Sequence, residues 1–394
     1  MLQLPKRLQS IDVFRAITMF FMIFVNDVDG VKKIPIWIKH AKDYEDKLGF
    51  ADTIFPAFLF IVGLSIPFAL NKRLQTGESK LKIAMHIIMR SLALIVMGTF
   101  HVNLENYSEA AILPEPVFEI IITLAFFLIW LDYKPNFKKS IQYILQGVGI
   151  LILIVMAFLY KGEHHQMIVG MRPQWWGILG LIGWGYLTCA LIYLITDGKL
   201  NWQVIALIFF LCFNVIAHIY KNEFAPVSKW CPLLMGNGSM AGLVMAGVVI
   251  SLIYAINKKN NKTSFFTWLP ILAIAFTVFG FIVRPVGGIS KDHDTPAWIG
   301  ICTGISIAVF TMLIFLVDVK NKANWFNIIK PAGTSTLTCY LIPYLLYSTL
   351  AVCNFDYPVS LSEGAGGILR SFAVAFIVIF IAGFLEKKNL RLKI

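Results

Sequence analysis

Residues 51–71 read ADTIFPAFLFIVGLSIPFALN, and Asp52 is the only charged side chain in this stretch. A helix needs about 20 consecutive, mostly apolar residues to cross the hydrocarbon core of a bilayer. Pro56 falls near the start, where a proline is tolerated because the first helical turn has no internal hydrogen bond to lose. The stretch therefore predicts a transmembrane helix.

Apolar runs of similar length recur along the whole chain. Charged residues make up 14% of the sequence, hydrophobic residues 58%, and mean hydropathy is +0.74, whereas soluble domains carry about 25% charge. This pattern predicts an all-α fold, a polytopic transmembrane helix bundle of about twelve spans in one domain, residues 1–394. The predicted spans are 11–27, 52–71, 82–101, 115–132, 140–159, 174–196, 202–220, 236–256, 264–283, 296–318, 333–353 and 365–385.

Lysine and arginine are distributed unequally between the two sets of predicted loops. If the N-terminus is cytoplasmic, 20 of the 34 Lys and Arg residues fall in cytoplasmic segments and 12 on the opposite side. Short cytoplasmic loops carry the excess of positive charge in membrane proteins, so both termini are predicted to be cytoplasmic. The same bias explains the net charge of +12, and nucleic acid is not expected as a partner.

Polar side chains cluster at the start of the first span, where Arg7, Ser10, Asp12 and Arg15 lie within nine residues. One interpretation is structural: Ser10 or Asp12 caps the helix, and Asp12 pairs with Arg15 one turn later. The other is a cytoplasmic anion site, because the arginine fork suits phosphate and a helix N-terminus favours negative charge. The pattern leaves both open.

A second polar group lies at the other end of the first span and in the loop 28–51. Asn26 closes the span, His40 lies in the loop, and Asp52 begins the second span. Histidine can take a proton near neutral pH or act as a nucleophile, and a neighbouring carboxylate would orient its ring. The alternative is that Asp52 only caps the second helix and His40 is an ordinary loop residue.

Four motifs lie between residues 7 and 71, and a fifth precedes the tenth span. They are Arg7-x-x-Ser10-x-Asp12-x-Phe14-Arg15, Val25-Asn26, Lys39-His40-Ala41, Asp52-x-x-Phe55-Pro56-x-Phe58-x-Phe60-x-x-Gly63-x-Ser65, and Thr295-Pro296-Ala297-Trp298. Together they resemble the heparan-alpha-glucosaminide N-acetyltransferase family of multi-span membrane enzymes. Members of that family move acetyl from cytosolic acetyl-CoA to a sugar amine on the other side of the membrane.

The resemblance implies that the chain is a membrane acyltransferase with acetyl-CoA as acyl donor and no metal. The family's catalytic histidine falls on His40, and the asparagine and aspartate associated with it fall on Asn26 and Asp52. Residues 7–71 are then a motif-bearing catalytic hairpin. Residues 72–394 form the remaining bundle, which shapes the donor and acceptor cavities.

The donor side follows from the same resemblance. CoA is expected to lie among the spans with its phosphates on the cytoplasmic side, near Arg7, Ser10, Asp12 and Arg15. The thioester would then reach toward His40 on the far side. Expected partners are the lipid bilayer and a sugar or glycan acceptor, and a homodimer is an open alternative. The expected location is a bacterial inner membrane.

Three segments depart from the family pattern. They are residues 113–119, 171–177 and 340–344, where the family has other motifs. These segments belong to the part expected to shape the acceptor pocket. The identity of the acceptor therefore does not carry over.

Two functions of other classes compete with the enzyme. Twelve spans with both termini inside are common among secondary transporters, and a lipid or glycan flippase is a further alternative. A transporter is expected to carry ionisable residues deep in its spans. Here the main ionisable cluster lies at the membrane surface around His40, which favours the enzyme.

Overall fold

The computed structural model describes residues 8–43, 45–220, 236–259 and 265–394. Across these ranges the fold is a helix bundle, and its long helices are numbered here in chain order. They are α1 (Gln9–Val28), α2 (Ala51–Gln75), α3 (Lys80–Val102), α4 (Glu115–Trp130), α5 (Lys139–Leu159), α6 (Gly177–Ile195), α7 (Leu200–Ile219), α8 (Ser239–Lys259), α9 (Phe265–Ile282), α10 (Pro296–Leu313), α11 (Thr336–Val352) and α12 (Gly364–Lys387).

Each predicted span coincides with one of these helices, which confirms the all-α membrane bundle. Eight helices in the described part of the chain are long and apolar enough to cross a bilayer: α2, α3, α5, α6, α7, α8, α10 with its continuation to Val319, and α12. Helix α11 and the segment Ala323–Thr334 before it meet at a bend of 73° and qualify as one broken span. The chain is an integral membrane protein, while the number of spans and the side of the termini stay predictions.

Several short elements connect the long helices. A β-hairpin, β1 (Gly162–His164) and β2 (Met167–Val169), lies between α5 and α6 and was not predicted. Its two-residue turn, His165 and Gln166, has positive φ at both positions, as tight hairpins require. The remaining elements are 3₁₀ helices Ile36–Ile38, Asn103–Asn106 and Ala323–Ile329, a π-helical continuation of α10 over Ile314–Val319, and short helices Lys330–Thr334 and Val359–Ser362.

Helix α1 lies inside the bundle, where it contacts α2, α10, α11 and α12. Most of its residues are buried, including polar ones such as Asp27. Polar groups at this depth need partners within the protein. Asp27 has them in α11 and α12, where Tyr347 and Ser371 donate hydrogen bonds to it and Arg370 forms an ion pair at 3.0 Å.

Helices α2 and α8 approach each other through facing glycines. A Cβ placed on Gly63 would lie 1.8 Å from the carbonyl oxygen of Val244, and one on Gly247 would lie 2.0 Å from that of Phe60. Small residues allow such close backbone contact between helices in lipid. The contact holds α2, which carries Asp52, against the centre of the bundle.

Replacing Gly63 with alanine is expected to lower the free energy of unfolding by about 1–3 kcal/mol, because overpacked cores lose stability by this amount. Thermal unfolding of the purified protein in detergent measures the change. Gly147→Ala is the control, since a Cβ on Gly147 in α5 meets nothing within 4 Å. Alanine there is expected to be neutral or slightly stabilising, and equal losses in both variants would contradict the close packing.

Candidate functional site

His40 and Asp52 form a hydrogen-bonded pair where the loop after α1 folds over the start of α2. The Nδ1 atom of His40 lies 2.6 Å from Asp52 Oδ1, and Asp52 Oδ2 accepts hydrogen bonds from the backbone N–H groups of Ala41 and Gly49, both at 3.0 Å. The Asp52 side chain is 3% exposed and that of His40 is 31% exposed. A carboxylate at Nδ1 favours the proton on that nitrogen, which leaves Nε2 as the free base.

The loop reaches this position because its backbone closes tightly on itself. A Cβ on Gly49 would lie 2.0 Å from the carbonyl oxygen of Lys39, so only glycine fits there. Phe50 N donates to the carbonyl of Trp37 at 2.7 Å, and Lys39 Nζ donates to the carbonyl of Asp29 at 2.7 Å. These contacts fix the backbone on both sides of His40.

A second loop, residues 283–295 between α9 and α10, packs against the first. Arg284 Nε and Ile289 N donate to Asp46 at 2.9 and 2.6 Å. The bond from Ile289, together with Arg284, holds the pKa of Asp46 below its ordinary value. The ammonium group of Lys291 lies 3.5 Å from His40 Nδ1. The two loops, more than 200 residues apart in sequence, therefore build one layer around His40.

The segment 295–298, at the start of α10, contacts the backbone of Asp52 next to this layer. Thr295 caps α10 by accepting a hydrogen bond from Trp298 N. The buried indole of Trp298 donates from Nε1 to the backbone carbonyl of Asp52 at 3.1 Å. This segment therefore positions the carboxylate that holds His40.

His40 and Asn26 line two adjacent cavities on this side of the protein. The first has a volume of about 480 Å³ and is called here the lysine–aspartate cavity; its polar lining also includes Lys291, Asp292 and Asp294, and the side chain of Trp175. The second, of about 360 Å³, is called the tyrosine cavity; its lining also includes Asp29, Glu119, Tyr340, Tyr344 and Tyr347. Asp52 lies behind His40 and lines neither.

A third cavity of about 360 Å³, called here the arginine cavity, lies toward the other end of α1. Its charged side chains in the described chain are those of Arg15, Arg90 and Lys393, and no Asp or Glu of the described residues lines it. Arg15 donates to Ser65 Oγ at 2.7 Å. The buried Nε of Arg90 has no hydrogen-bond partner within the described ranges. Arg15 and Lys393 also pair with Asp12 and Asp132, which do not line the cavity. The unsatisfied guanidinium atom of Arg90 beside these two cations suits an anion.

One face of α1 connects the three cavities. Arg15, Met19, Met22 and Asn26 follow one another at helical spacing. Met19 lines both the arginine and the tyrosine cavities, and Met22 lines both the arginine and the lysine–aspartate cavities. Eleven residues of helix span about 16 Å. The cavities therefore adjoin along α1, from Arg15 to Asn26 at the end next to the loop of His40.

The predicted residues at the start of α1 separate in the structure. Arg7 lies outside the described residues. The helix begins at Gln9 with Leu8 as its N-cap and no side-chain cap, so the expected capping by Ser10 or Asp12 is wrong. Ser10 is buried and donates to Asp318 Oδ2 at 2.6 Å.

Asp12 keeps the predicted pairing with Arg15. Their side chains form an ion pair at 3.5 Å. Asp12 lines a different cavity of about 240 Å³, which includes Lys330. Of the four residues predicted for the anion site, the structure therefore places Arg15 in the arginine cavity and directs Ser10 and Asp12 elsewhere.

Four candidate functional residues were not predicted from the sequence: Arg90, Lys393, Lys291 and Asp294. A charge inside a span is a signal of function, and Arg90 gave that signal. Lys393 belongs to a basic segment at the end of the chain. Lys291 and Asp294 come just before the segment 295–298 but carry no signal of their own. No group of three His, Cys, Asp or Glu side chains suited to a metal occurs among the described residues.

Comparison with known proteins gives one family and two named relatives. The sequence model described as Domain of unknown function (DUF5009) matches residues 7–235. Heparan-alpha-glucosaminide N-acetyltransferase of Homo sapiens is 42% identical over 105 residues, which are 26% of this chain and 15% of the human protein. The Mus musculus protein of the same name is 40% identical over 102 residues, 26% and 14% of the two chains. The similarity thus spans a small part of the length of these relatives.

Proposed function

The chain belongs to the family described as a domain of unknown function (DUF5009), and we propose that this member is a transmembrane acyltransferase. In this proposal it moves an acetyl group from cytosolic acetyl-CoA to an amino sugar or glycan on the opposite side. The observation that carries the proposal is the row of adjoining cavities along α1, from Arg15 to the His40–Asp52 pair. The partial similarity to two enzymes named as N-acetyltransferases supports it.

The phosphates of the acetyl-CoA donor would bind in the arginine cavity. CoA carries several phosphates, and the guanidinium groups of Arg15 and Arg90 with the ammonium group of Lys393 suit them. Arg7 would add to this set from the start of the chain. The apolar side chains of Met19 and Met22 would line the path of the pantetheine arm, so the thioester would reach Asn26 and His40.

The chemistry would take place at His40. Its Nε2 atom takes the proton of the acceptor, and Asp52 stabilises the imidazolium ion that forms. The amide N–H of Asn26 donates to the thioester oxygen as negative charge develops there. A two-step route, in which His40 first carries the acetyl group itself, uses the same residues.

The lysine–aspartate cavity is the better candidate for the acceptor. The indole of Trp175 lines it and is held by a hydrogen bond from Nε1 to Glu105 at 3.0 Å. An aromatic face beside charged groups suits a sugar, which has both an apolar ring face and polar edges. The membrane arrangement in this proposal is twelve spans with both termini cytoplasmic, in a bacterial inner membrane.

Transfer across a sealed membrane tests the function. The protein is reconstituted in vesicles with labelled acetyl-CoA on one side and an amino sugar on the other. Acetylated sugar is expected on the side away from the donor. Movement of the sugar or of CoA without acetylation would favour the transporter or the flippase and contradict the enzyme.

Replacing Arg15 with glutamine is expected to weaken CoA binding about 10- to 100-fold, because a hydrogen bond to a charged group contributes about 1.5–3 kcal/mol. Titration of the purified protein with CoA measures the affinity. Lys320→Gln is the control, because Lys320 is exposed and lines none of the three cavities. Unchanged CoA affinity in the Arg15 variant would contradict the proposal that CoA binds in this cavity.

A further inference from the structure

We propose that Asp294 is a second catalytic base, which takes the first proton from an acceptor that arrives as an ammonium ion. The inference rests on the proposed function and names the acceptor class within it: a primary amine, and not a hydroxyl group. It assigns separate tasks to two bases in one cavity, Asp294 and His40.

The position of Asp294 carries this proposal. Its side chain lines the lysine–aspartate cavity together with His40 and Asn26. Its backbone is fixed from two directions: Asp294 N donates to the carbonyl of Lys291 at 3.1 Å, and Asn214 Nδ2 of α7 donates to the carbonyl of Asp294 at 3.2 Å. The backbone of Asp294 therefore belongs to a fixed part of the cavity wall.

An amine acceptor needs more proton transfer than a hydroxyl acceptor does. A primary amine with a pKa above 7 is mostly an ammonium ion at neutral pH, and the ammonium form has no lone pair for attack. It must lose one proton before the C–N bond forms and another afterwards. His40 can take one of these protons, and a second base within the same cavity would take the other and so let the bound ammonium form react.

Atoms and charge balance over the reaction. Asp294 takes one proton from R–NH₃⁺, and the nitrogen of R–NH₂ then bonds to the thioester carbon while the carbonyl π electrons move to oxygen. His40 Nε2 takes the second proton. When the C–S bond breaks, the CoA thiolate receives the proton of His40 and leaves as the thiol. Asp294 releases its proton to water, so the net products are the amide, CoA thiol and one H⁺.

The surroundings of Asp294 suit this task. Burial raises the pKa of its carboxyl to about 7, and a hydrogen bond with the Ser239 side chain and the charge of Lys291 partly offset the effect of burial. A base is most effective when its pKa lies near the working pH. The titratable and charged groups near it are Lys291, Asp292 and His293 on its own loop, and His40 with Asp52 at the same cavity. Asp43 on the first loop and His218 on α7 contact the neighbouring His293.

The test compares Asp294→Asn with the wild-type protein, with an amino sugar and with water as the acceptor of the acetyl group. Asp294 has φ 53°, a conformation that asparagine tolerates, so the variant keeps the backbone. At pH 7 the variant is expected to transfer acetyl to the amine about tenfold more slowly or worse. Hydrolysis of acetyl-CoA is expected to stay within about twofold, because water needs no first base.

The pH profiles separate a base from a structural residue. Wild-type transfer to the amine is expected to fall below pH 7, where Asp294 is protonated, and to be level above it. In the variant the amine must lose its proton in water, so the rate is expected to rise about tenfold per pH unit toward the pKa of the amine. Asp43→Asn is the control, because Asp43 is exposed in the same layer and lines neither cavity at His40.

Three results would overturn the inference. One is an Asp294→Asn profile parallel to that of the wild type, and another is equal loss of amine transfer and hydrolysis. The third is wild-type transfer to hydroxyl acceptors but not to amines, which would leave the proposed function intact. Absence of both transfer and hydrolysis in the wild-type protein would instead contradict the proposed acyltransferase function itself.

Discussion

Replacing His40 with alanine is expected to lower the rate of acetyl transfer by about 10²- to 10⁴-fold, the range for loss of a general acid–base group. The loss should appear in kcat, because His40 would act on the reacting atoms. CoA affinity should be retained, because Arg15 lies on α1 about 16 Å from the end at His40. Labelled acetyl-CoA with an amino-sugar acceptor gives the rate, and titration with CoA gives the affinity.

The variant His164→Ala is the matched control. His164 lies in the exposed hairpin on the same chain and lines no cavity described above. Transfer by the His40 variant at the rate of the control would end the catalytic assignment. A second measurement distinguishes direct transfer from the two-step route. Without acceptor, label that stays on the wild-type protein but not on the His40 variant would show an acetyl-histidine intermediate.

Asp52 extends the same test to the group behind the histidine. In Asp52→Asn an amide N–H₂ group would face either His40 or the N–H groups of Ala41 and Gly49, where only acceptors satisfy the donors. The structure thus explains why a carboxylate stands at this position. The cap role considered for Asp52 is wrong, because α2 has Phe50 as its N-cap and no side-chain cap. One Asp52 oxygen instead binds the loop, and the other binds His40.

The bundle could be predicted from the sequence because one physical rule governs the eight described helices that are long and apolar enough to cross a bilayer. Bilayer thickness fixes the length of an apolar run, and each predicted span coincides with a helix. The short elements could not be predicted in the same way. The hairpin at Gly162–Val169 and the bend before α11 depend on local geometry that apolar length does not encode.

The site was predictable only in part, for a related reason. His40, Asn26 and Asp52 lie close in sequence and carry the motifs of the resemblance. Lys291 lies beside His40, and Asp294 lines the same cavity as His40, through the packing of two loops, which no spacing along the chain reveals. Ser10 shows the opposite case: it belongs to a motif but faces Asp318, because the helix begins at Gln9.

The ion pair between Asp27 and Arg370 joins the C-terminal end of α1 to α12, next to Asn26. Asp27 is 2% exposed and Arg370 is 12% exposed, with 3.0 Å between Oδ1 and Nη2. The guanidinium group also lies over the ring of Tyr357 at 4.6 Å. Removal of one member of a buried pair leaves an uncompensated charge, which is far more costly than the pair itself is favourable.

Replacing Arg370 with methionine is therefore expected to lower the free energy of unfolding by about 3–5 kcal/mol. The double variant Asp27→Asn with Arg370→Met is expected to recover much of this loss, because the new amide oxygen still accepts from Tyr347 or Ser371 but the side chain carries no charge. Unfolding of the purified protein in detergent measures both. Arg73→Met is the control: its pair with Glu78 is one-fifth to one-third exposed, and such pairs contribute about 0–1 kcal/mol. A double variant less stable than Arg370→Met alone would show that the buried charge of Asp27 is not the source of the loss.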